Sequence, residues 1–116
     1  MLNKINRLKK RKEFGYIYKH GNIKYSKNLK LFSIPSKNKI VRIGLSVSNK
    51  IGNAVCRNKI KRQLRAILKD YIPFIKAKNN LIIVVKDSIT QLDFNSIKKE
   101  VEYILNKAEL LEIKNE

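Results

Sequence analysis

The residues best placed to do chemistry are cations at a fixed step. Arg57, Lys61 and Arg65 recur at every fourth position, with Asn58, Lys59, Arg62 and Lys69 among and beside them. On a helix, residues four apart rise by about 6 Å, close to the spacing of phosphates along a nucleic-acid strand. Each phosphate neutralised by such a row releases counterions, so binding is driven by salt release. The competing reading is a solvated face balanced by neighbouring acids. No acid occurs between Glu13 and Asp70, however, so no i,i+4 ion pair relieves the row. Asn58 leaves two readings open: an amide that bonds a base, a phosphate or the backbone, or a residue of the helix's first turn.

A second set is aromatic. Phe14, Tyr18, Tyr25 and Phe32 lie among Lys9, Lys10, Arg11, Lys12, Lys19 and Lys30. Rings interleaved with cations suit single-stranded nucleic acid, because bases stack on the rings while cations hold the phosphates. The plainer reading makes Phe14, and with it Phe32, core residues; on the residues alone core is the expectation for Phe14. Catalytic groups are sparse. His20 precedes a glycine and has no acid near it in sequence, which fits a cap or surface residue better than a base. No pair of carboxylates stands out as an acid–base or metal site. Cys56, the only cysteine, precedes a run of cations but has no partner histidine at a useful spacing.

Charge supports the same chemistry. The chain has 116 residues and a formal charge of +18. Residues up to Lys69 contribute +19 and those from Asp70 onward −1, so the excess belongs to the first three-fifths. Such asymmetry marks a face for a polyanion, nucleic acid ahead of an anionic membrane. Met1 to Lys12 has no apolar h-region, and the longest apolar run, Leu81 to Val85, is too short to span a bilayer. A cytoplasmic location is therefore expected.

The elements that must carry these residues follow from periodicity. Residues before Arg11 read as a basic arm, flexible without RNA. Phe14, Ile17 and Tyr18 share a helical face, and Gly21 suits a left-handed cap after His20. Tyr25–Ile34 and Ile40–Ser48 read as strands joined by a polar turn, which predicts an antiparallel hairpin. Ile60, Leu64, Ile67, Leu68 and Tyr71 form the apolar stripe of a helix that Pro73 closes, with Arg57, Lys61 and Arg65 expected on the opposite face. Leu81–Val85 reads as a strand buried on both faces. A last helix is expected from about Asn95 to Leu111, its stripe built from Ile97, Val101, Ile104, Leu105, Ala108 and Leu111. The chain reads as one α/β sandwich domain over 1–116, with 1–10 as its arm.

The central stretch is more specific than any periodicity. Gly44-Leu45-Ser46-Val47-Ser48, then Gly52-Asn53-Ala54-Val55, then Arg57-Asn58-Lys59-Ile60-Lys61-Arg62-Gln63-Leu64-Arg65 closely resembles the signature of the bacterial ribonuclease P protein-subunit family. Leu8 to Gly21 also resembles that family's first helix. Two positions depart from the pattern: Lys59 stands where arginine is usual, keeping charge but losing the bidentate fork, and Asn49 stands where lysine is common.

The resemblance implies an α+β fold in the order α-β-β-β-α-β-α, like the second domain of ribosomal protein S5. Its sheet would be mixed, with a left-handed β-α-β crossover. It implies that Arg57, Asn58, Lys59, Lys61, Arg62 and Arg65 face a catalytic RNA. The 5′ leader of precursor tRNA would lie in a cleft with Phe14 and Tyr18, flanked by Lys10; Tyr25 and Phe32 join them on strand alternation. Phe14 thereby moves from core residue to leader contact. The activity implied is endonucleolytic removal of the leader by a ribonucleoprotein whose RNA does the catalysis. The protein alone would be inactive and bind no cofactor of its own, and the holoenzyme's Mg2+ would be held mainly by RNA. The partners implied are that RNA and precursor tRNA, with no membrane and no protein partner required. On composition alone, a structural ribosomal or general RNA-binding protein fits as well.

Overall fold

A computed structural model describes residues 2–112. Three helices, α1 (Arg11–His20), α2 (Ala54–Tyr71) and α3 (Phe94–Lys107), alternate with four strands, β1 (Asn22–Tyr25), β2 (Leu29–Pro35), β3 (Arg42–Ser46) and β4 (Asn79–Val85). The chain order is α-β-β-β-α-β-α and the fold is a single α+β domain. Its mixed sheet runs β1-β2-β4-β3, antiparallel except for the β3–β4 pair. Among the described residues no helix is long and apolar enough to cross a membrane.

The centre of the sheet is the continuous apolar run. Leu81, Ile82 and Ile83 of β4 are all fully buried, Leu81 and Ile83 towards one face and Ile82 towards the other. Where a strand is flanked on both edges and covered on both faces, as from Leu81 to Ile83, a polar side chain has no place; Asn79 and Asn80 open the strand where it is only half-buried. On the first face α2 and α3 bring Ile60, Leu64, Ile67 and Leu68, and Ile97, Val101, Ile104 and Leu105, against Leu29, Leu31, Ile43, Leu81 and Ile83. Both helices start on a side-chain cap: Asn53 accepts from the Cys56 N–H at 3.0 Å, and Asp93 from the Ser96 N–H at 2.8 Å. They are tied together where the Tyr71 hydroxyl donates to Glu102 at 3.1 Å; burial first and then this bond push the Tyr71 pKa up.

The other face carries α1 and, beside it, Leu8 of the segment before that helix. Its small cluster is Leu8, Ile17, Phe32 and Ile82, with Phe14, Ile34 and Val84 partly buried around it.

Several expectations are corrected. The hairpin between the second and third strands does not form; β4 lies between them, and β3 reaches it in parallel through α2. A strand that buries both faces competes better for the central position than a neighbour in sequence. The expected strand Tyr25–Ile34 is broken by a turn at Ser26–Asn28, so Tyr25 ends β1. Gly21 is not left-handed: its φ is −75°, and it is small because a Cβ would stand 2.6 Å from the Ile17 carbonyl and 3.0 Å from that of Ser33. The expected basic arm is laid on the sheet from residue 2 onward, with Met1 outside the described residues. Leu2 and Leu8 are buried, the Leu8 N–H donates to the Ile43 carbonyl at 3.0 Å, and Arg7 bridges to Ile43 beside the β3 edge. Leu111 lies beyond the end of α3, where it bridges to Ile75.

Candidate nucleic-acid interface

The register decides which side chains share the half-covered face. Ile23 pairs with Phe32, Tyr25 with Lys30 and Lys30 with Val84; Gly44 pairs with Ile82 and Ser46 with Val84. Paired residues project to the same side of a sheet, and so do residues two apart. Two rows therefore run across this face: Gly44, Ile82, Phe32, Ile23, and next to it Ser46, Val84, Lys30, Tyr25. α1 sits over the first row, its Ile17 buried in the small cluster with Phe32 and Ile82.

Phe14 lies on β3 because Gly44 has no side chain. A Cβ there would collide with the ring, its Cε1 at 2.7 Å. Tyr18 stands one helical turn on, with ring centroids 6.3 Å from Phe14 and 4.9 Å edge-on from Phe32. The three rings form one track between α1 and the sheet. Phe32 is buried, whereas Tyr18 is 39% exposed. Tyr25 continues the face at the far edge, 50% exposed, with the ammonium groups of Lys30 and Lys86 lying 5.5 and 5.8 Å from its ring centre.

At the β3 end the track meets α2. Arg57, Lys61 and Arg65 do not stand opposite the apolar stripe, as the spacing had led one to expect, but along its margin. With 3.6 residues per turn, a residue one step past a core position is only about 100° round the helix. All three are half-buried, while Asn58, Lys59 and Arg62 are exposed. Lys61 and Arg65 face Arg7, Lys9 and Phe14 across a cavity of about 180 Å³. Burial first, and then the neighbouring Arg7 guanidinium, lower the Arg65 pKa from its ordinary value. Four cations and an aromatic ring around one small cavity form a site whose charges repel until an anion enters. Arg57 is held differently: its Nη1 donates to the Asn49 amide oxygen at 2.6 Å. Asn49 thus supplies an acceptor that a lysine in its place lacks.

The structure therefore gathers Phe14, Tyr18 and Phe32 directly and puts Tyr25 on their face. It sets Lys10 apart, at the N-terminus of α1, beside a cavity of about 220 Å³ shared with Lys4, Arg7, Lys9 and Arg42. Glu13, the one acid there, is 3.4 Å from the Arg42 guanidinium. Asn58 is exposed one residue past the first turn of α2, so the first-turn account of it fails. Sequence reasoning missed Arg7, Lys86 and Gly44. Leu2 and Leu8 flanking the basic segment were the available signal for Arg7. For Lys86 it was the alternation of β4 carried one step on, and for Gly44 a lone glycine inside an alternating strand. His20 is exposed against Tyr16, 4.6 Å between ring centres, and among the described residues no group of three or more His, Cys, Asp or Glu could hold a metal.

Comparison with known proteins bears on what this face contacts. The family model described as ribonuclease P matches residues 2–109. Among curated relatives, the ribonuclease P protein component of Shouchella clausii is 31% identical, covering 95% of this chain and 91% of that one. That of a Cyanothece species is 34% identical over 96% and 98%. The solved RNase P protein of Staphylococcus aureus superposes with a TM-score of 0.88 at 32% identity, covering 93% of this chain and 99% of that one. The RNase P protein of Thermotoga maritima, at 22% identity, shares the fold with a TM-score of 0.81 over 94% and 98%.

Proposed function

The chain belongs to the ribonuclease P protein family, and from that premise we propose that it binds two RNAs at once on the half-covered face and the helix beside it. α2 takes the catalytic RNA, with Arg57, Asn58, Lys59, Lys61, Arg62 and Arg65 against its phosphates. The aromatic track takes the single-stranded 5′ leader of precursor tRNA, with bases against Phe14 and Tyr18, and with the buried Phe32 backing Tyr18 edge-on. Lys30, Lys86 and Tyr25 carry the strand to the sheet edge, and Lys10 flanks the entrance of α1. The observation that carries this reading is the contiguity of the ring track with the cationic margin of α2, which meet at Phe14, Lys61 and Arg65.

The division of labour follows from chemistry. Two polyanions repel, and cations between them reduce that repulsion, lowering the divalent ion needed for assembly. Ring and lysine contacts add binding that a leaderless product lacks, which favours substrate over product. Hydrolysis of the phosphodiester at the mature 5′ end, and the Mg2+ that supports it, belong to the RNA in this reading. Two of the protein's carboxylates are otherwise employed: Glu13 pairs with Arg42, and Glu100 accepts from Ser26 and Asn28. The complex works in the cytoplasm, with no membrane and no second protein needed.

The test is cleavage of precursor tRNA at low Mg2+ by the cognate catalytic RNA alone, by the protein alone and by both. Cleavage is expected only from the mixture. Cleavage by the protein alone would make it a nuclease in its own right. No effect of the protein would leave a structural ribosomal or general RNA-binding role in its place.

A further inference from the structure

Past the β1 edge, on the far side of the Ser26–Asn28 turn, a groove of about 660 Å³ opens between that turn and α3. Lys27, Lys99 and Lys107 line it together with Tyr25 and Tyr103. Glu100 is the only acid among its lining residues, and both of its oxygens are engaged. Oε2 accepts from the Ser26 hydroxyl and, at 2.7 Å, from the Asn28 N–H; Oε1 accepts from the Asn28 side-chain amide at 2.6 Å. The carboxylate clamps the turn to the helix and has little left to offer a cation. Asp93, near Lys99, is likewise occupied as the cap of α3. The groove is therefore a cationic surface with an exposed ring: Tyr103 is 56% exposed, and Lys107 stands 5.8 Å from its centre.

The groove also begins where the leader track ends. The Lys107 ammonium donates to the Tyr25 carbonyl at 2.9 Å, while the Tyr25 ring projects to the side of Lys30 and Phe32. Lys86 braces the same turn by donating to the Ser26 carbonyl at 2.7 Å. One residue thus borders both surfaces, and a strand leaving the track over Tyr25 arrives among Lys27, Lys99 and Tyr103. Lysines alone would suit any polyanion. An exposed tyrosine among them adds a stacking platform, which favours an unpaired nucleic-acid strand.

We propose that this groove is a second single-strand subsite, which holds the leader nucleotides lying beyond the aromatic track. It rests on the reading of the track as the leader site. Tyr103 stacks a base, Lys27 and Lys99 hold phosphates, and Glu100 is a positioning residue that fixes the turn between the two surfaces.

The experiment measures holoenzyme affinity for precursor tRNAs with leaders of about 4 and about 16 nucleotides, the ends of the range of single-strand site sizes. The wild-type protein is compared with Tyr103→Ala and with Tyr103→Ala/Lys99→Ala, both positions being exposed. The long leader is expected to bind about tenfold more tightly to the wild type, and the double variant is expected to lose most of that gain. Affinity for the short leader should stay unchanged. The proposal is overturned if the wild type gains nothing from the longer leader, or if the gain survives in the double variant. It is also overturned if both leaders weaken equally, which would give the groove to the catalytic RNA or the tRNA body. A Phe14→Ala/Tyr18→Ala protein reads the track separately: unchanged short-leader affinity there would remove the track assignment, whatever the groove variants do.

Discussion

The two faces of the sheet are built from the same strands and put to different uses. Leu29, Leu31, Leu81 and Ile83 point into a core sealed by two long helices, and each is fully buried. Phe32, Ile82 and Val84, the alternate residues of those strands, point towards one ten-residue helix, under which Phe32 and Ile82 are buried and Val84 is only partly covered. The first face is closed by apolar area and capped helix ends. The second stays open, with exposed rings and lysines at its margins. Alternation along a strand thus lets one sheet close a core on one side and leave rings and lysines exposed on the other, with the cost of an uncovered margin offset by the core behind it.

Deleting core volume should give the largest effect and breaks the comparison most directly. Leu64→Ala is expected to lower stability by about 2–5 kcal/mol, the range for truncating a fully buried leucine. Phe14→Ala, from a partly buried site, should cost clearly less. Urea denaturation of the two variants measures both. Equal losses would mean that the α1 face is as much core as the other and would undo the division.

Gly44 sharpens the comparison without deleting a ring. Gly44→Ala places a methyl group in the space of the Phe14 ring and favours the strand backbone through lower unfolded-state entropy. The ring must move while the closed face is untouched. Affinity for leader-bearing precursor tRNA should fall about tenfold, in line with the loss of one stacked base, with a shift of the urea midpoint smaller than that of Leu64→Ala. If affinity holds, Phe14 is packing and not a contact.

Arg65 joins the open face to the helix of the closed one. Arg65→Ala should weaken binding of the catalytic RNA and make log K against log salt shallower by about 0.7–0.9, one phosphate's worth of counterions. An unaltered slope in a filter-binding series would remove Arg65 from the phosphate contacts.

How much of this division could be read from the residues differs between the faces. The closed face was legible, because Ile60, Leu64, Ile67 and Leu68, and Ile97, Val101, Ile104 and Leu105, repeat with helical period, and Leu81–Val85 is apolar throughout. Every one of those helix residues is buried. The open face was legible by residue type and not by arrangement. Period-two alternation in β3 is satisfied equally by pairing with β2 or with β4, so the hairpin expectation rested on proximity in sequence, and proximity lost. The turn at Ser26–Asn28 had a local signal, the polar Ser-Lys-Asn cluster that bonds to Leu29, but its second anchor, Glu100, lies more than seventy residues away. The margin position of Lys61 and Arg65 was available from the 100° step, since they directly follow the core positions Ile60 and Leu64, and Arg57 stands one helical turn before Ile60. The central motif carried the family, and the packing of Arg7 beside Arg65 had to come from the fold.

The smallest expected effect lies on the closed side and concerns acid. Asp93 caps α3, and its pKa is lowered from the ordinary 3.8, first by the bond with the Ser96 side chain and then by that with the Ser96 N–H. A carboxylate whose folded pKa lies below its unfolded one binds fewer protons when folded. Its stabilising contribution is therefore present above the unfolded pKa and is lost as pH falls through the folded one. Asn at this position caps a helix but takes up no proton. The thermal midpoint of Asp93→Asn should therefore fall less steeply than that of the wild type between about pH 5 and pH 2.5. The difference should be slight, because the carboxylate is fully exposed to solvent. Parallel curves would show that the cap bond does not distinguish the two protonation states. At neutral pH the same substitution should leave short-leader affinity unmoved, because α3 is anchored to the face opposite the aromatic track. A loss there would mean that the start of α3 helps to shape the open face as well, and that the two sides of the sheet are less independent than their packing implies.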